Sequence, residues 1–158
     1  MSETSSNAAV RRRGPVPHLV VKDAGAALDF YRAAFGAKEI YRMASPDGAS
    51  IMHAEMAIGD DVLFLTDENP DMGSLSPLSL GGTSVTLNLV TEDVDALYER
   101  AVAAGATGTM APADMFWGDR YARLVDPFGH SWALICSLRQ MSREEIEAAA
   151  REYFAGGE

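Results

Sequence analysis

Val21–Ala37 reads VKDAGAALDFYRAAFGA and Val90–Ala106 reads VTEDVDALYERAVAAGA, two stretches that match each other at a constant shift of 69 residues. Each follows a short apolar run typical of a strand, ends in Gly-Ala, and precedes further strand-like runs. A repeated unit of this kind indicates two half-domains that must pack or pair to bury one core. We therefore predict an α+β fold of two βαβββ modules that form a curved mixed sheet, with a C-terminal helix appended.

The sequence around the repeat divides into five segments. The N-terminal segment is polar, carries the Arg11–Arg13 cluster and lacks the apolar region of a signal peptide. Near the C-terminus, Ser142 and Glu145 have the spacing of a capping box, which predicts a helix that docks on the domain or on a partner subunit. The predicted segments are a disordered tail (1–15), the first module (16–66), a linker or lid (67–83), the second module (84–138) and the C-terminal helix with its tail (139–158).

Composition limits the partners and the location that we expect for the chain. A formal net charge of −10 disfavours a nucleic-acid surface, because phosphate binding needs clustered positive charge. No apolar run approaches the ~20 residues that span a bilayer, so we expect no membrane association. The single cysteine, Cys136, excludes an intramolecular disulfide and fits a reducing compartment. The sequence therefore predicts a cytoplasmic protein.

Three segments together resemble one known family. They read DFYRAAFGA (29–37), HAEMAIGDDVLFLTDE (53–68) and FWGDRYARLVDPFGHSWAL (116–134). In this order they resemble the glyoxalase/bleomycin resistance/dioxygenase superfamily, the vicinal oxygen chelate fold, and more narrowly its PhnB-like branch. The resemblance implies the paired βαβββ fold. It leaves the function open, because this scaffold hosts isomerases, dioxygenases, epimerases, thiol transferases and drug-binding proteins. Resemblance to the PhnB-like branch favours a homodimer whose modules swap between subunits; closure within one chain is the alternative.

The same resemblance implies where a metal would be held. Metal-dependent members of the family use His and Glu on the first and fourth strands of each module, and open positions accept vicinal oxygens of the substrate. The equivalent positions here are Val16, Phe64, Thr86 and Ala133. Three of them offer no ligating atom, and the threonine is a poor neutral ligand. We therefore expect a pocket without a metal and without a cofactor.

Strand alternation predicts which side chains line the cleft of the curved sheet. Apolar residues that cover the helix alternate with residues that point to the other side. On the third strand this places His53 and Glu55 in the cleft, because Ala54 and Met56 belong to the apolar set. The predicted ligand-binding residues are His18, Phe64, Asn88, Trp117, Tyr121 and Arg123.

His53 and Glu55 are the predicted catalytic pair. Residues two apart on a strand share a face, and a neighbouring carboxylate favours the protonated imidazole, which suits acid–base chemistry. Alternatively, the pair belongs to a solvated strand face or to a dimer contact. For His18, the alternative to ligand binding is a half-buried, hydrogen-bonded histidine without a chemical role.

The second module contributes the remaining polar and aromatic candidates. Trp117 is predicted either to stack on a planar ligand or to close the open end of the sheet. Asp119 and Arg120 are predicted to form an ion pair within their loop. Arg123 either binds a carboxylate or phosphate of a ligand or pairs with Glu55, since an unpaired buried charge is costly.

These features predict a homodimer that binds a small organic ligand and thereby sequesters, or confers resistance to, a drug-like metabolite. The alternative is a glyoxalase-like lyase or isomerase in which His53 and Glu55 act as acid and base or as ligands of a relocated metal. No G-x-G-x-x-G follows a strand, and no H-E-x-x-H or paired C-x-x-C is present. The sequence therefore disfavours a nucleotide cofactor and the common zinc sites.

Overall fold

The chain folds into two four-stranded mixed sheets with helices, which confirms the predicted α+β fold of two βαβββ modules. The computed structural model describes residues 14–156, so the Arg11–Arg13 cluster and nearly all of the predicted N-terminal tail lie outside the described residues. Within that range, no helix is long and apolar enough to cross a membrane. Both modules contribute to one hydrophobic core, which lies on the helix side of the sheets.

The first module consists of one helix and four strands: β1 (His18–Val21), α1 (Ala24–Phe35), β2 (Lys38–Ala44), β3 (Ile51–Ile58) and β4 (Asp61–Asp67). The sheet order is β1-β4-β3-β2, with β1 parallel to β4 and the other pairs antiparallel. The helix begins after Asp23, whose carboxylate accepts the Ala26 N–H at 2.8 Å. It ends at Gly36, which adopts the left-handed conformation with φ of 67°.

The segment between the modules contains a 3₁₀ turn (Pro70–Met72) and a short helix, α2 (Pro77–Leu80). Its anchor is Glu68, whose carboxylate accepts the Ser76 N–H at 2.9 Å. Ser76 is fully buried, and α2 contacts β1. The stretch that the sequence predicts as an exposed linker or lid is therefore locally folded and packs against the first module.

The second module repeats the plan of the first: β5 (Thr86–Val90), α3 (Val94–Ala103), β6 (Thr107–Asp114), β7 (Asp119–Val125) and β8 (Ser131–Ser137). Its sheet order is β5-β8-β7-β6, with β5 parallel to β8. Asp93 caps α3 by accepting the Ala96 N–H at 2.9 Å. The two modules thus have the same strand order and the same way of starting their helix.

The constant shift of 69 residues holds only after the helices. The two capping aspartates, Asp23 and Asp93, are 70 residues apart, because α3 is shorter than α1. A shift of 69 residues pairs Val21, which is fully buried, with Val90, which is 78% exposed. The first strands of the two modules therefore correspond at a shift of 70, so that His18 corresponds to Asn88.

The predicted C-terminal helix is α4 (Arg143–Ala155). It begins at the predicted capping box, in which Ser142 Oγ accepts the Glu145 N–H at 3.2 Å and the Glu145 carboxylate accepts the Ser142 N–H at 2.7 Å. None of its residues is buried, and no other helix or strand of the described chain makes a close backbone contact with it. The helix therefore lies outside the core.

The two modules meet through their helices and a shared aromatic cluster. α1 packs against α3, whereas no strand of one sheet contacts a strand of the other among the described residues. Arg100 of α3 donates to the carbonyl oxygens of Ala33 and Arg32 in α1. The rings of Phe35 and Trp132 lie 4.7 Å apart between centroids. The helix side of both sheets is therefore buried, and the opposite side of each sheet is largely open.

A buried carboxylate fixes the junction between the modules. Asp126, in the turn before β8, accepts the Tyr31 hydroxyl at 2.6 Å and the Trp132 indole N–H at 2.9 Å. It also accepts the backbone N–H groups of Phe128 and His130, each at 2.9 Å. Burial, and next the charge of Asp126, raise the pKa of Tyr31 well above its ordinary value, so the phenol remains a donor. Loss of this carboxylate would leave several buried donors unsatisfied.

Candidate functional site

The open side of the first sheet, which we call the N-terminal face, gathers two histidines and a carboxylate. Leu19, Leu65 and Ala54 are buried on the helix side, so the residues that alternate with them point away from α1. Strand register places the following residues on this face: His18, Tyr41, His53, Glu55 and Phe64.

Strand pairing brings these side chains together. His18 lies opposite Phe64, and Phe64 lies opposite Glu55. Tyr41 completes this row on the far side of Glu55. The His53 ring lies beside the row, 4.9 Å from Phe64 and 5.9 Å from His18 between ring centroids. All four residues predicted for this face therefore lie in one cluster.

His53 and Glu55 are in contact on the N-terminal face. The His53 Nε2 atom lies 3.2 Å from Glu55 Oε1, and the two side chains are 25% and 11% exposed. A half-buried imidazole in contact with a largely buried carboxylate can accept or release a proton next to a bound molecule. For His18, burial and next the charge of His53 lower the pKa below its ordinary value, so its imidazole is mainly neutral at neutral pH.

The open side of the second sheet, which we call the C-terminal face, carries a guanidinium and aromatic rings instead. Ala122 and Leu124 are buried on the helix side, so Tyr121 and Arg123 point the other way. Asn88 lies in the same cross-strand row as Arg123, two strands away. The two modules therefore present different chemistry on corresponding surfaces.

Among the described residues, Arg123 has only neutral partners. Its Nη2 atom lies 3.4 Å from the hydroxyl oxygens of Thr86 and Ser131, and no ion pair involves it within residues 14–156. The alternative prediction of a pair with Glu55 is wrong for the single chain, because the two residues lie on different sheets. A guanidinium held only by long contacts to hydroxyl groups keeps donors available for an anionic group of a ligand.

Trp117 extends the C-terminal face just before β7. Its ring packs edge-on against Tyr121 at 5.7 Å, and its indole N–H donates to the Asp119 carboxylate at 3.0 Å. The predicted ion pair between Asp119 and Arg120 is wrong. Consecutive strand residues point to opposite sides, and Arg120 instead pairs with Asp95 of α3. Asp119 thereby holds the tryptophan beside the face.

The positions that would hold the family metal do not fit a divalent ion. Phe64 and Ala133 occupy the fourth-strand positions of the two modules and offer no lone pair, and Val16 precedes β1. At the remaining position, Thr86 Oγ1 lies 3.4 Å from the Arg123 guanidinium, whose positive charge opposes a cation there. Across residues 14–156, no three His, Cys, Asp or Glu side chains are grouped so as to hold a metal ion, the histidines of the N-terminal face included.

Two further aromatic residues adjoin these faces: Tyr41, which sequence reasoning missed, and Phe116, which the sequence places in the loop at the mouth of the cleft. Tyr41 lies opposite Glu55, and its ring centroid is 6.4 Å from that of His53. Phe116 contacts Trp117 at 5.0 Å between centroids. Alternation along the second strand is the signal that indicates Tyr41, whereas Phe116 lies in a turn, where no periodicity applies.

Two cavities lie where the modules adjoin. One, of about 590 Å³, is lined by Asn88 of the C-terminal face together with residues of the turn between β3 and β4. The other, of about 540 Å³, is lined by His18 and His130 together with residues of the segment between the modules. Both have the size of sites that hold small organic molecules. The other candidates lie on the open faces and line neither cavity: His53, Glu55, Phe64, Trp117, Tyr121 and Arg123.

Comparison with known proteins identifies the class to which this fold and site belong. The sequence profile of the Glyoxalase/Bleomycin resistance protein/Dioxygenase superfamily matches residues 14–134. The chain therefore belongs to this superfamily, which confirms the resemblance carried by the three sequence segments.

The chain is also similar to individual proteins. An uncharacterised protein of Mycobacterium tuberculosis is 48% identical over 136 residues, which cover 84% of this chain and 79% of the relative. TioX from Micromonospora sp. ML1 superposes with a TM-score of 0.61 at 25% identity, over 82% of this chain and 100% of TioX. A PhnB protein from Bacillus cereus shares the fold with a TM-score of 0.61 at 16% identity, over 79% of this chain and 100% of its own.

Proposed function

We propose that this protein binds and sequesters a small organic ligand on its two open faces. The observation that carries the proposal is the Arg123 guanidinium, whose partners within residues 14–156 are hydroxyl groups only. It lies on the same face as Tyr121, whose ring contacts Trp117. Such a set offers ring surfaces for stacking and one anchor for an anionic group, an arrangement typical of small-molecule sites. The ligand is then flat or apolar and carries a carboxylate, sulfonate or phosphate.

We propose further that two copies of the chain form the complete site. β1 and β5 are edge strands of their sheets, and open strand edges favour pairing with another chain. Large apolar side chains are exposed on the N-terminal face, Tyr41 by 50%, and at the two ends of β5, Val85 by 60% and Val90 by 78%. A two-fold dimer can place the N-terminal face of one copy opposite the C-terminal face of its partner.

The class of protein supports a sequestering or resistance role. The superfamily takes part of its name from bleomycin resistance proteins, which makes a drug-like metabolite or antibiotic a reasonable ligand to test first. Cys136 is a free, half-buried thiol, and a reducing cytoplasm is the compartment that such a residue fits. We therefore propose that the protein acts on metabolites or drugs present in the cytoplasm.

A second candidate function is that of a glyoxalase-like lyase or isomerase. The observation that favours it is the 3.2 Å contact between His53 Nε2 and Glu55 Oε1 on a half-buried face. In this role Glu55 orients the imidazole, and His53 moves a proton at a carbon or oxygen atom of the ligand. The grouping of donors on this face gives no support to a relocated metal.

Thermal-shift screening against a library of metabolites and antibiotics, with and without divalent metal ions, separates the two functions. A flat anionic compound that raises Tm and is recovered unchanged supports sequestration. A compound that is converted by the wild type, but is bound without conversion by Glu55→Gln, supports the lyase or isomerase. Failure of every compound to bind, in either condition, contradicts both.

A further inference from the structure

Five aromatic rings run without a break from the C-terminal face to α4. Successive ring centroids lie between 5.0 and 6.0 Å apart. The set, which we call the aromatic strip, consists of Tyr121, Trp117, Phe116, Tyr153 and Phe154. The last two residues belong to α4, so the strip joins the predicted ligand site to a helix that sequence reasoning gave no chemical role.

The turn that carries the strip is fixed to the segment that leads into α4. The Gly118 carbonyl oxygen accepts the N–H groups of Leu138 and Arg139 at 3.0 and 3.2 Å. A Cβ atom at Gly118 would lie 2.8 Å from the Arg139 carbonyl oxygen and 2.9 Å from the Met141 sulfur, so a larger residue does not fit. The segment before α4 therefore leaves β8 at a defined place, directly beside Gly118.

Core packing does not explain α4. None of its residues is buried, and Tyr153 and Phe154 are 59% and 74% exposed although both contact Phe116. A short helix gains little stability unless it buries an apolar face. Two large rings held at the surface beside an aromatic turn therefore indicate a partner from outside the chain.

We propose that α4 is part of the ligand site, that Tyr153 and Phe154 form its outer wall, and that the aromatic strip selects flat, multi-ring anions. This inference rests on the proposed ligand-binding function and assigns the residues that select the ligand. Arg123 lies two residues from Tyr121 on the same face of β7, so it supplies the anchor for the negative charge. A flat ligand anchored there extends along the strip and contacts some rings face-on and others edge-on, because Trp117 lies edge to face with both Tyr121 and Phe116. A compact anion reaches the guanidinium only.

Anthracene-2-carboxylate is the probe for this inference, and cyclohexanecarboxylate is its compact, non-planar control. Affinities are measured by calorimetric titration for the wild type and for Tyr153→Ser/Phe154→Ser. We expect the double variant to bind the anthracene compound about tenfold more weakly, because it loses ring stacking, and to bind the cyclohexane compound as the wild type does. The unfolding temperature should stay the same, since neither ring is buried.

Two further variants control for changes in α4 itself. Glu144→Ser/Arg151→Ser alters exposed residues of the same helix without changing the net charge, and Tyr153→Phe/Phe154→Tyr keeps both rings. Both should bind the anthracene compound as the wild type does. Equal loss of affinity in either of them would assign the effect to the helix as a whole and overturn the inference.

Three other results overturn the inference and leave the proposed function distinguishable from it. Wild-type affinity in the Ser double variant, with weakened binding in Trp117→Ala, removes α4 from a site that otherwise stands. Binding of compact library compounds but not of the anthracene compound rejects the ligand class. A change from dimer to monomer in sedimentation, caused by the Ser double variant alone, assigns the rings to contact between copies. Failure of the wild type to bind any library compound rejects the proposed function itself.

Discussion

The two modules share a topology but differ in what they present on each side of the sheet. α1 buries seven residues and α3 only two, so the first helix supplies most of the helical part of the core. On the open sides, the N-terminal face carries His53 and Glu55, whereas the C-terminal face carries Arg123 and Tyr121. A repeated unit can thus keep the strand order that builds the fold and diverge where packing imposes no constraint. In this protein the divergence places an imidazole–carboxylate pair on one face and a guanidinium with aromatic rings on the other.

The largest expected effect concerns the junction that the two modules share. Asp126→Ala removes the acceptor of the Tyr31 hydroxyl, the Trp132 indole N–H and two backbone N–H groups. We expect the free energy of unfolding to fall by about 3 kcal/mol or more, because several buried donors lose their partner. Urea denaturation measures the change, with Asp71→Ala, an exposed position between the modules, as the control. A loss no larger than that of the control would contradict the role of this carboxylate.

The second largest effect is expected for a variant that changes the C-terminal face alone. Arg123→Ala should weaken an anionic ligand by ~1.5–3 kcal/mol, the typical contribution of a charged hydrogen bond, and change an uncharged analogue much less. Because the guanidinium makes only long contacts to hydroxyl groups in the described part of the chain, Tm should remain close to that of the wild type. Calorimetric titration and a melting curve on the same variant measure both quantities. A lower Tm with unchanged affinity would make Arg123 a structural residue instead.

Stacking on the C-terminal face is expected to contribute less to ligand affinity than Arg123 does. Its contribution should be the same for charged and uncharged ligands. Trp117→Ala should weaken the anionic and the uncharged ligand alike, by about 1 kcal/mol, because the indole ring contacts the ligand body and not its charged group. Titration of both ligands checks the prediction, and Asp119→Asn keeps a partner for the indole N–H as a matched control. Selective loss of only one ligand would contradict a stacking role.

The smallest expected effect is the pH dependence that His18 gives to the N-terminal face. Burial and the charge of His53 lower its pKa in the folded protein below the ordinary value of 6.5. As the pH falls, the unfolded chain therefore binds the proton first, so stability is full above pH 6.5 and decreases as the pH falls toward the folded pKa. His18→Gln should make the free energy of unfolding less dependent on pH in this window. A free energy of unfolding that depends more steeply on pH in the variant would contradict a lowered pKa of His18 in the folded protein.

Sequence patterns predicted the open faces because period-two alternation governs a half-buried strand. Ala54 is buried, so His53 and Glu55 on either side of it had to point to the other face, and they do. The same reasoning placed Tyr121 and Arg123 together. The sequence pattern was misleading on one point, because a constant shift of 69 residues does not relate the first strands of the two modules. The second helix is shorter than the first, so the strands that precede the helices correspond at a shift of 70.

The features that sequence patterns did not predict depend on contacts between residues far apart in the sequence. Arg120 pairs with Asp95 across one intervening strand, β6, and Phe116 contacts Tyr153 across two, β7 and β8. No local periodicity carries such information, because the partner is decided by how the elements pack. The role of Asp119 as holder of Trp117 was missed for the same reason: it becomes visible only when Arg120 is seen to point elsewhere.

The central claim is that the N-terminal face of one copy and the C-terminal face of its partner form one site. Subunit exchange between Tyr41→Ala/His53→Ala and Trp117→Ala/Arg123→Ala tests it, because each variant is damaged on a different face. In an equimolar mixture half of the dimers are mixed, and each mixed dimer contains one site with two intact faces. Titration of the mixture with a flat aromatic carboxylate should therefore show wild-type affinity at about a quarter of all sites. If no high-affinity site appears after exchange, although the wild type binds, each site lies within one chain and the claim is wrong.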